Sequence, residues 1–182
     1  GVSQDGHELR MAVNYLAPFL LTHLLLPSLR RAAPSRIVNL ASLGQSRVDL
    51  DDLMMERGYD GWDAYGRSKL ALIMFTMELA ERLDGVPIMV NALHPGTLLD
   101  TKMVRESASR PQGKVQEGAD AVVFLATSPS LDGVTGRFFS GRREAVVDRQ
   151  AYDPAARKEL YRRSVELTGA RGLAPASEAG FS

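Results

Sequence analysis

Tyr65 and Lys69 stand four residues apart in Tyr65-Gly66-Arg67-Ser68-Lys69, at the head of the apolar run Leu70-Ala71-Leu72-Ile73-Met74-Phe75. If that run is helical, the spacing puts the phenol and the ammonium one turn apart on one face. A cation beside a phenol favours the phenolate, so the pair is a device for general acid and base chemistry near neutral pH. A surface tyrosine lying under a lysine stem would show the same spacing. The companions of the pair must decide between the two.

Three more polar residues stand where chemistry could use them. Asn14 lies within Val13-Asn14-Tyr15, and a plain reading is an asparagine inside a helix bonded to its own backbone or to water. Ser42 ends the short β-branched run Arg36-Ile37-Val38-Asn39-Leu40-Ala41-Ser42. The C-terminal end of such a strand is where open α/β sheets bind ligands, although a serine there also starts ordinary turns. His94 opens His94-Pro95-Gly96-Thr97 after Pro87-Ile88-Met89-Val90-Asn91-Ala92-Leu93. It has no carboxylate or serine in local register, so a structural role is expected for it.

The elements that must carry these residues follow from pattern. Asp5, with Glu8 three residues on, is expected to cap a helix running to about Arg31, with Pro18 kinking it or leaving one carbonyl unbonded. Residues 36–42 and 87–93 lack strict alternation, as strands buried on both faces of a parallel sheet do. Between them, Trp62 to Leu83 reads as a helix apolar on all sides, which must be covered twice, by the sheet and by another helix or subunit. Gly44 to Asp63 is expected to be a surface insertion; its acidic cluster lacks the spacing of a calcium loop, and no metal site is expected. Thr101 to Gly113 suits a mobile flap. A helix from about Val115 to Ala126, a third strand within Gly136–Gly141 and a last helix capped by Asp153-Pro154 complete the pattern. Gly, Ala, Ser and Pro from Ala170 onward read as a flexible tail.

Composition sets outer limits. The chain has 182 residues, enough for one domain with a sizeable core. Twenty-two basic and twenty-two acidic residues balance to zero net charge, so neither nucleic acid nor a membrane is expected as a partner. Cysteine is absent, which removes thiolate chemistry and disulfides and suits the cytoplasm. Pro18, Thr22, His23, Pro27 and Ser28 interrupt the stretch from Tyr15 to Leu29, so a spanning helix is not expected there, nor a signal peptide. The first residue is Gly1 rather than Met, and the expectation is a sequence that begins inside a longer chain.

Taken together, Asn14, Ser42 within Asn-Leu-Ala-Ser, Tyr65 with Lys69, and His94-Pro95-Gly96 resemble, in order and context, the short-chain dehydrogenase/reductase family and its retinol-dehydrogenase-like branch. The resemblance runs from about Asp5 to Gly169. It implies the C-terminal part of a Rossmann-type doubly wound parallel α/β sheet with flanking helices, residues 1–169, followed by a flexible tail, 170–182. It implies an oxidoreductase moving a hydride between NAD or NADP and an alcohol or carbonyl substrate; the all-round apolar faces of Trp62 to Leu83 and of Tyr15 to Leu29 add the expectation of a homodimer or homotetramer. Tyr65 is then the proton donor and acceptor. Lys69 steadies its phenolate and holds the nicotinamide ribose, Ser42 orients the substrate oxygen, and Asn14 holds a water of a proton relay. The backbone of Pro95, Gly96, Thr97 and Leu98 meets the nicotinamide amide, with Thr101 a further contact.

Two departures stand out. Asp100 occupies the place, five after Pro95, where many members carry Thr or Ser, and Thr101 follows it. The family's Gly-rich phosphate turn and Asn-Asn-Ala-Gly strand are not in the chain, so the segment alone is expected to be inactive and cannot choose between NAD and NADP. The alternative expectation is a naturally short, non-catalytic dimerisation or binding module built on the two long helices.

Overall fold

A computed structural model describes residues 1–106 and 110–174 of the chain. Helix α1 (Leu9–Arg31) leads into strand β1 (Ser35–Leu40), helix α2 (Gly61–Arg82) and strand β2 (Ile88–His94). A short helix α3 (Lys102–Glu106), helix α4 (Val115–Thr127), strands β3 (Phe138–Ser140) and β4 (Arg143–Glu144) and helix α5 (Pro154–Thr168) follow. The sheet order is β1-β2-β3-β4. The first three strands are parallel, and β4, which the sequence pattern did not announce, returns antiparallel along β3. Among the described residues no strand pairs with the outer edge of β1.

Alternation through the sheet sorts two apolar layers. Ile37, Val90, Ala92 and Phe138 belong with α1, α2 and α5, whereas Val38, Leu93 and Phe139 belong with Ala121 and Leu125 of α4. Helices therefore cover both faces, as a doubly wound sheet requires. Leu70, Ile73, Met74, Phe75 and Leu79 of α2 are all at most 2% exposed, and each such side chain removed from water contributes about 1.5–3 kcal/mol. The second side of α2 is covered within the same chain by α5, so this helix does not need another subunit. Arg157 of α5 seals that contact by pairing with Glu78 and Glu81.

Helix α1 starts later than expected. Glu8, not Asp5, is its cap, accepting the Met11 N–H at 2.7 Å. Ala12–Leu16 is π-helical, the adjustment made just ahead of Pro18, which has no N–H to offer the Asn14 carbonyl four residues back. Tyr15 and Phe19 pack inward with His23, whose Nε2 lies 2.7 Å from the Tyr161 hydroxyl. Because His23 Nδ1 must donate to the Phe19 carbonyl, Nε2 accepts from Tyr161. Burial keeps the His23 ring neutral to lower pH than a free histidine. The outward side of α1 is apolar along its length, with Leu9, Val13, Leu21, Leu24 and Leu25 exposed. By length and composition this helix could cross a membrane.

Two further expectations are corrected. Strand β1 ends at Leu40, so Ser42 lies in the loop beyond it. The segment 44–63 is not a surface insertion: Val48, Leu53 and Met55 are buried. Such an irregular loop can enter the core because the Gln150 amide brackets Val48, accepting its N–H and donating to its carbonyl, both at 2.8 Å. At the start of the expected tail Ala170 is buried and the Leu173 N–H donates to the Tyr161 hydroxyl at 2.8 Å, while Arg171 and Gly172 are exposed. The rest of the expected tail, 175–182, and residues 107–109 of the expected flap lie outside the described residues.

Candidate active site

Parallel pairing of β1 with β2 sets Leu40 opposite Leu93, and the ladder continues one step through the Ala41 N–H to the Leu93 carbonyl at 2.8 Å. Ser42 and His94 therefore leave the sheet side by side at its C-terminal edge. Helix α2 begins just above that edge. Asp60 caps it by accepting the Asp63 N–H at 2.8 Å, so Tyr65 falls in its second turn and Lys69 in its third.

Lys69 Nζ donates to the Leu40 carbonyl at 3.0 Å and lies 5.7 Å from the centroid of the Tyr65 ring. Burial of the ammonium lowers the Lys69 pKa below that of a free lysine. Ser42 Oγ accepts the Gly44 N–H at 3.0 Å, which leaves its own proton to donate elsewhere. A methyl group at position 44 would sit 3.5 Å from Ser42 Oγ and 3.8 Å from Tyr65 Cε1, so the hydroxyl and the phenol ring flank one small space. The Tyr65 hydroxyl has no hydrogen-bond partner among the described residues. Asn14 is tied to the same helix: its Nδ2 donates to Ser68 Oγ at 3.0 Å, and Ser68 Oγ donates to the Tyr65 carbonyl at 2.7 Å.

The turn after β2 is held in place by shape. Leu99 fills a socket lined by Gly96, Gly113 and Gly118, where a β-carbon on any of the three would come within 3.0 Å of its side chain. The Thr97 hydroxyl lies 3.2 Å from His94 Nε2, and burial lowers the His94 pKa. Leu98 adopts a positive φ of 45°. Thr101 Oγ1 accepts the Val104 N–H at 3.4 Å at the start of α3. Asp100, standing where many members have Thr or Ser, is clamped by Arg105 at 2.7 and 2.9 Å, which holds its carboxyl below the usual carboxylate range.

The structure thus gathers Asn14, Ser42, Tyr65 and Lys69 around one end of α2, and places Pro95, Gly96, Thr97 and Leu98 on the same sheet edge. Sequence reasoning passed over Gly66, Ser68 and Leu99. A β-carbon at Gly66 would lie 2.8 Å from the Ser46 backbone nitrogen, so only glycine lets the loop after β1 close on α2 beside Tyr65. Its signal was a glycine inside a helix, which costs about 1 kcal/mol relative to alanine and needs a reason. A second tyrosine, Tyr15, is excluded from proton chemistry: its hydroxyl donates to Ser164 Oγ at 2.6 Å, and burial pushes its pKa far up.

The profile of the short chain dehydrogenase family matches residues 2–112. Retinol dehydrogenase 13 of Mus musculus is 37% identical over 185 residues, covering 92% of this chain and 55% of that protein. The chain spans about half the length of such curated relatives. Among solved structures, a protein from Mycobacterium Paratuberculosis superposes with a TM-score of 0.72 at 28% identity, covering 94% of this chain and 62% of that one. A Brucella ovis oxidoreductase of the short chain dehydrogenase/reductase family, in complex with partially ordered NAD, gives 0.52 at 32% identity, covering 71% and 49%. NADPH-bound carbonyl reductase from chicken fatty liver gives 0.57 at 25%, covering 80% and 60%.

Proposed function

The chain belongs to the short-chain dehydrogenase family, and from that membership and the Tyr65 site we propose that it is the catalytic part of an NAD- or NADP-dependent oxidoreductase interconverting an alcohol and its carbonyl compound. One observation carries the reading: the Tyr65 phenol, without a hydrogen-bond partner among the described residues, flanks the same space as the Ser42 hydroxyl, with the Lys69 ammonium beside it. In carbonyl reduction Tyr65 gives its proton to the substrate oxygen, and in alcohol oxidation it takes that proton back. Ser42 donates a hydrogen bond to the same oxygen, where charge develops. Lys69 favours the phenolate between turnovers.

The residues present fit a nicotinamide riboside. Lys69 bonds one protein carbonyl and keeps further N–H donors for ribose hydroxyls. Pro95, Gly96, Thr97 and Leu98 would meet the carboxamide with their backbone; the Thr101 hydroxyl accepts the Val104 N–H and keeps its own proton for a further contact there. The dinucleotide supplies or accepts the hydride. Asn14 fixes the height of Tyr65 through Ser68, and its carbonyl, left without the Pro18 N–H, would hold a water connecting Lys69 to solvent.

Residues 1–169 form this catalytic part, and residues 170–182 are its tail. Two copies join through the exposed side of α1, as Leu21, Leu24 and Leu25 there support. Cytoplasmic placement belongs to the same reading, supported by a chain without cysteine; recovery in the membrane fraction after cell lysis would overturn it. The test of function is isotope transfer. Reduced dinucleotide deuterated at the transferable position, incubated with the complete enzyme and an aldehyde, should leave deuterium on the carbinol carbon. An alcohol product free of deuterium would refute hydride transfer.

A further inference from the structure

We propose that Leu99 is a positioning residue for dinucleotide binding: its side chain, seated among three glycines, sets the loop 95–98 in the shape that grips the nicotinamide end. The inference rests on the oxidoreductase reading and adds to it a part that decides affinity rather than chemistry. The loop has little of its own to hold it. Among the described residues no backbone carbonyl accepts the N–H of Thr97 or of Leu98, which leaves these donors to a ligand's oxygen. Leu98 has a φ of 45°, in the left-handed region that leucine rarely enters. Such a conformation persists only where its surroundings over-determine it.

Leu99 supplies that determination. Its Cδ2 lies 2.7 Å from where a β-carbon on Gly96 would stand and 3.0 Å from one on Gly113, and its Cδ1 lies 2.5 Å from one on Gly118. Pro95 meets the same spot, its Cβ 3.4 Å from that added carbon on Gly118. Helix α4 therefore seats both ends of the loop, Pro95 and Leu99, at one glycine. The chain returning to α4 is fastened there too: the Gln112 N–H donates to the Leu98 carbonyl and the Asp100 N–H to the Gly113 carbonyl, both at 2.9 Å. Gly118 lies inside a helix, where glycine is the poorest choice short of proline, and the seat gives it a reason. With Leu99 unseated, Leu98 is free to relax to a negative φ and the loop loses its shape. The dinucleotide binds the seated form, so its apparent affinity falls in proportion to the seated fraction, and once bound it restores the seat. A disturbed seat should therefore raise Kd and KM for the dinucleotide and leave kcat at saturation nearly untouched.

The test is a double-mutant cycle in the complete enzyme, with Kd for NADH and for NADPH measured by calorimetry. Gly118→Ala pushes a methyl group into the seat and should raise Kd for the preferred dinucleotide about tenfold or more, while kcat at saturating dinucleotide falls less than about twofold. Leu99→Ala empties the seat and should raise Kd about fivefold or more, whereas Leu99→Met, of similar volume, should stay within about threefold of wild type. With Leu99→Ala already in place, Gly118→Ala should cost less than about a further twofold, because no isobutyl group remains to clash with the methyl. Both single variants, folded by circular dichroism and binding within about twofold of wild type, would overturn the proposal. So would a double variant in which the two losses multiply, or a fall in kcat as large as the rise in Kd. Should Gly118→Ala not fold, Leu99→Ala against Leu99→Met decides by the same limits. A wild-type enzyme that binds neither dinucleotide overturns the oxidoreductase reading and this proposal with it. One that binds a dinucleotide regardless of the side chain at position 99 overturns this proposal alone.

Discussion

Lys69 shows how burial and chemistry are joined at a single residue. Its ammonium is penalised by desolvation, so its proton leaves at lower pH than from a free lysine. As pH rises, the cation proposed to steady the phenolate is lost early. The alkaline limb of log kcat/KM should therefore set in below pH 10.5, the ordinary lysine value. Lys69→Arg, which stays charged throughout, should move that limb upward even if its maximum rate is lower. A limb in the same place in both enzymes would contradict the role given to Lys69. The candidate residues were legible in the sequence because proton chemistry demands particular side chains at particular spacings: Tyr65 and Lys69 one helical turn apart, Ser42 at the end of a strand. Ser68, Gly66 and Leu99 were not. They act through contacts with Asn14, Ser46 and a socket of three glycines, partners far away in sequence that no local pattern exposes.

At the scale of elements, pattern located the helices and the parallel strands and missed what depends on partners. The all-round apolar character of α2 was read correctly as double coverage, but α5 supplies the second cover, not another subunit. The loop 44–63 looked polar and was expected at the surface; the Gln150 bracket that admits Val48 to the core comes from 102 residues away. Pro18 announced a disturbance in α1 without its form, which proved to be a π-helical stretch holding Asn14. Among the described residues nothing covers the outward stripe of α1. Leu21, Leu24 and Leu25, at helical spacing, are 56%, 68% and 46% exposed, an apolar surface suited to an isologous contact between two copies. Sedimentation of the complete protein at micromolar concentration should show a dimer, and Leu21→Lys with Leu24→Lys should convert it to a monomer. A wild-type monomer under those conditions would count against this assembly.

For the whole molecule, the fold follows from strands buried on both faces and helices on either side. Fold class could be read from β1, α2 and β2 alone, a strand, a crossover helix and a parallel strand. The antiparallel β4, two residues long, lay below what any pattern could resolve. The same architecture puts a phenol, a hydroxyl, an ammonium and an amide at one sheet edge, and the central claim is that Tyr65 moves the proton there. Replacing Tyr65 by Phe keeps the ring and its packing and removes only the hydroxyl. In the complete enzyme, kcat measured through nicotinamide absorbance should fall by about 10²–10⁴, with the KM for dinucleotide nearly unchanged. A Tyr65→Phe enzyme retaining more than about a tenth of the wild-type kcat, a barrier change of less than about 1.4 kcal/mol, would contradict the assignment.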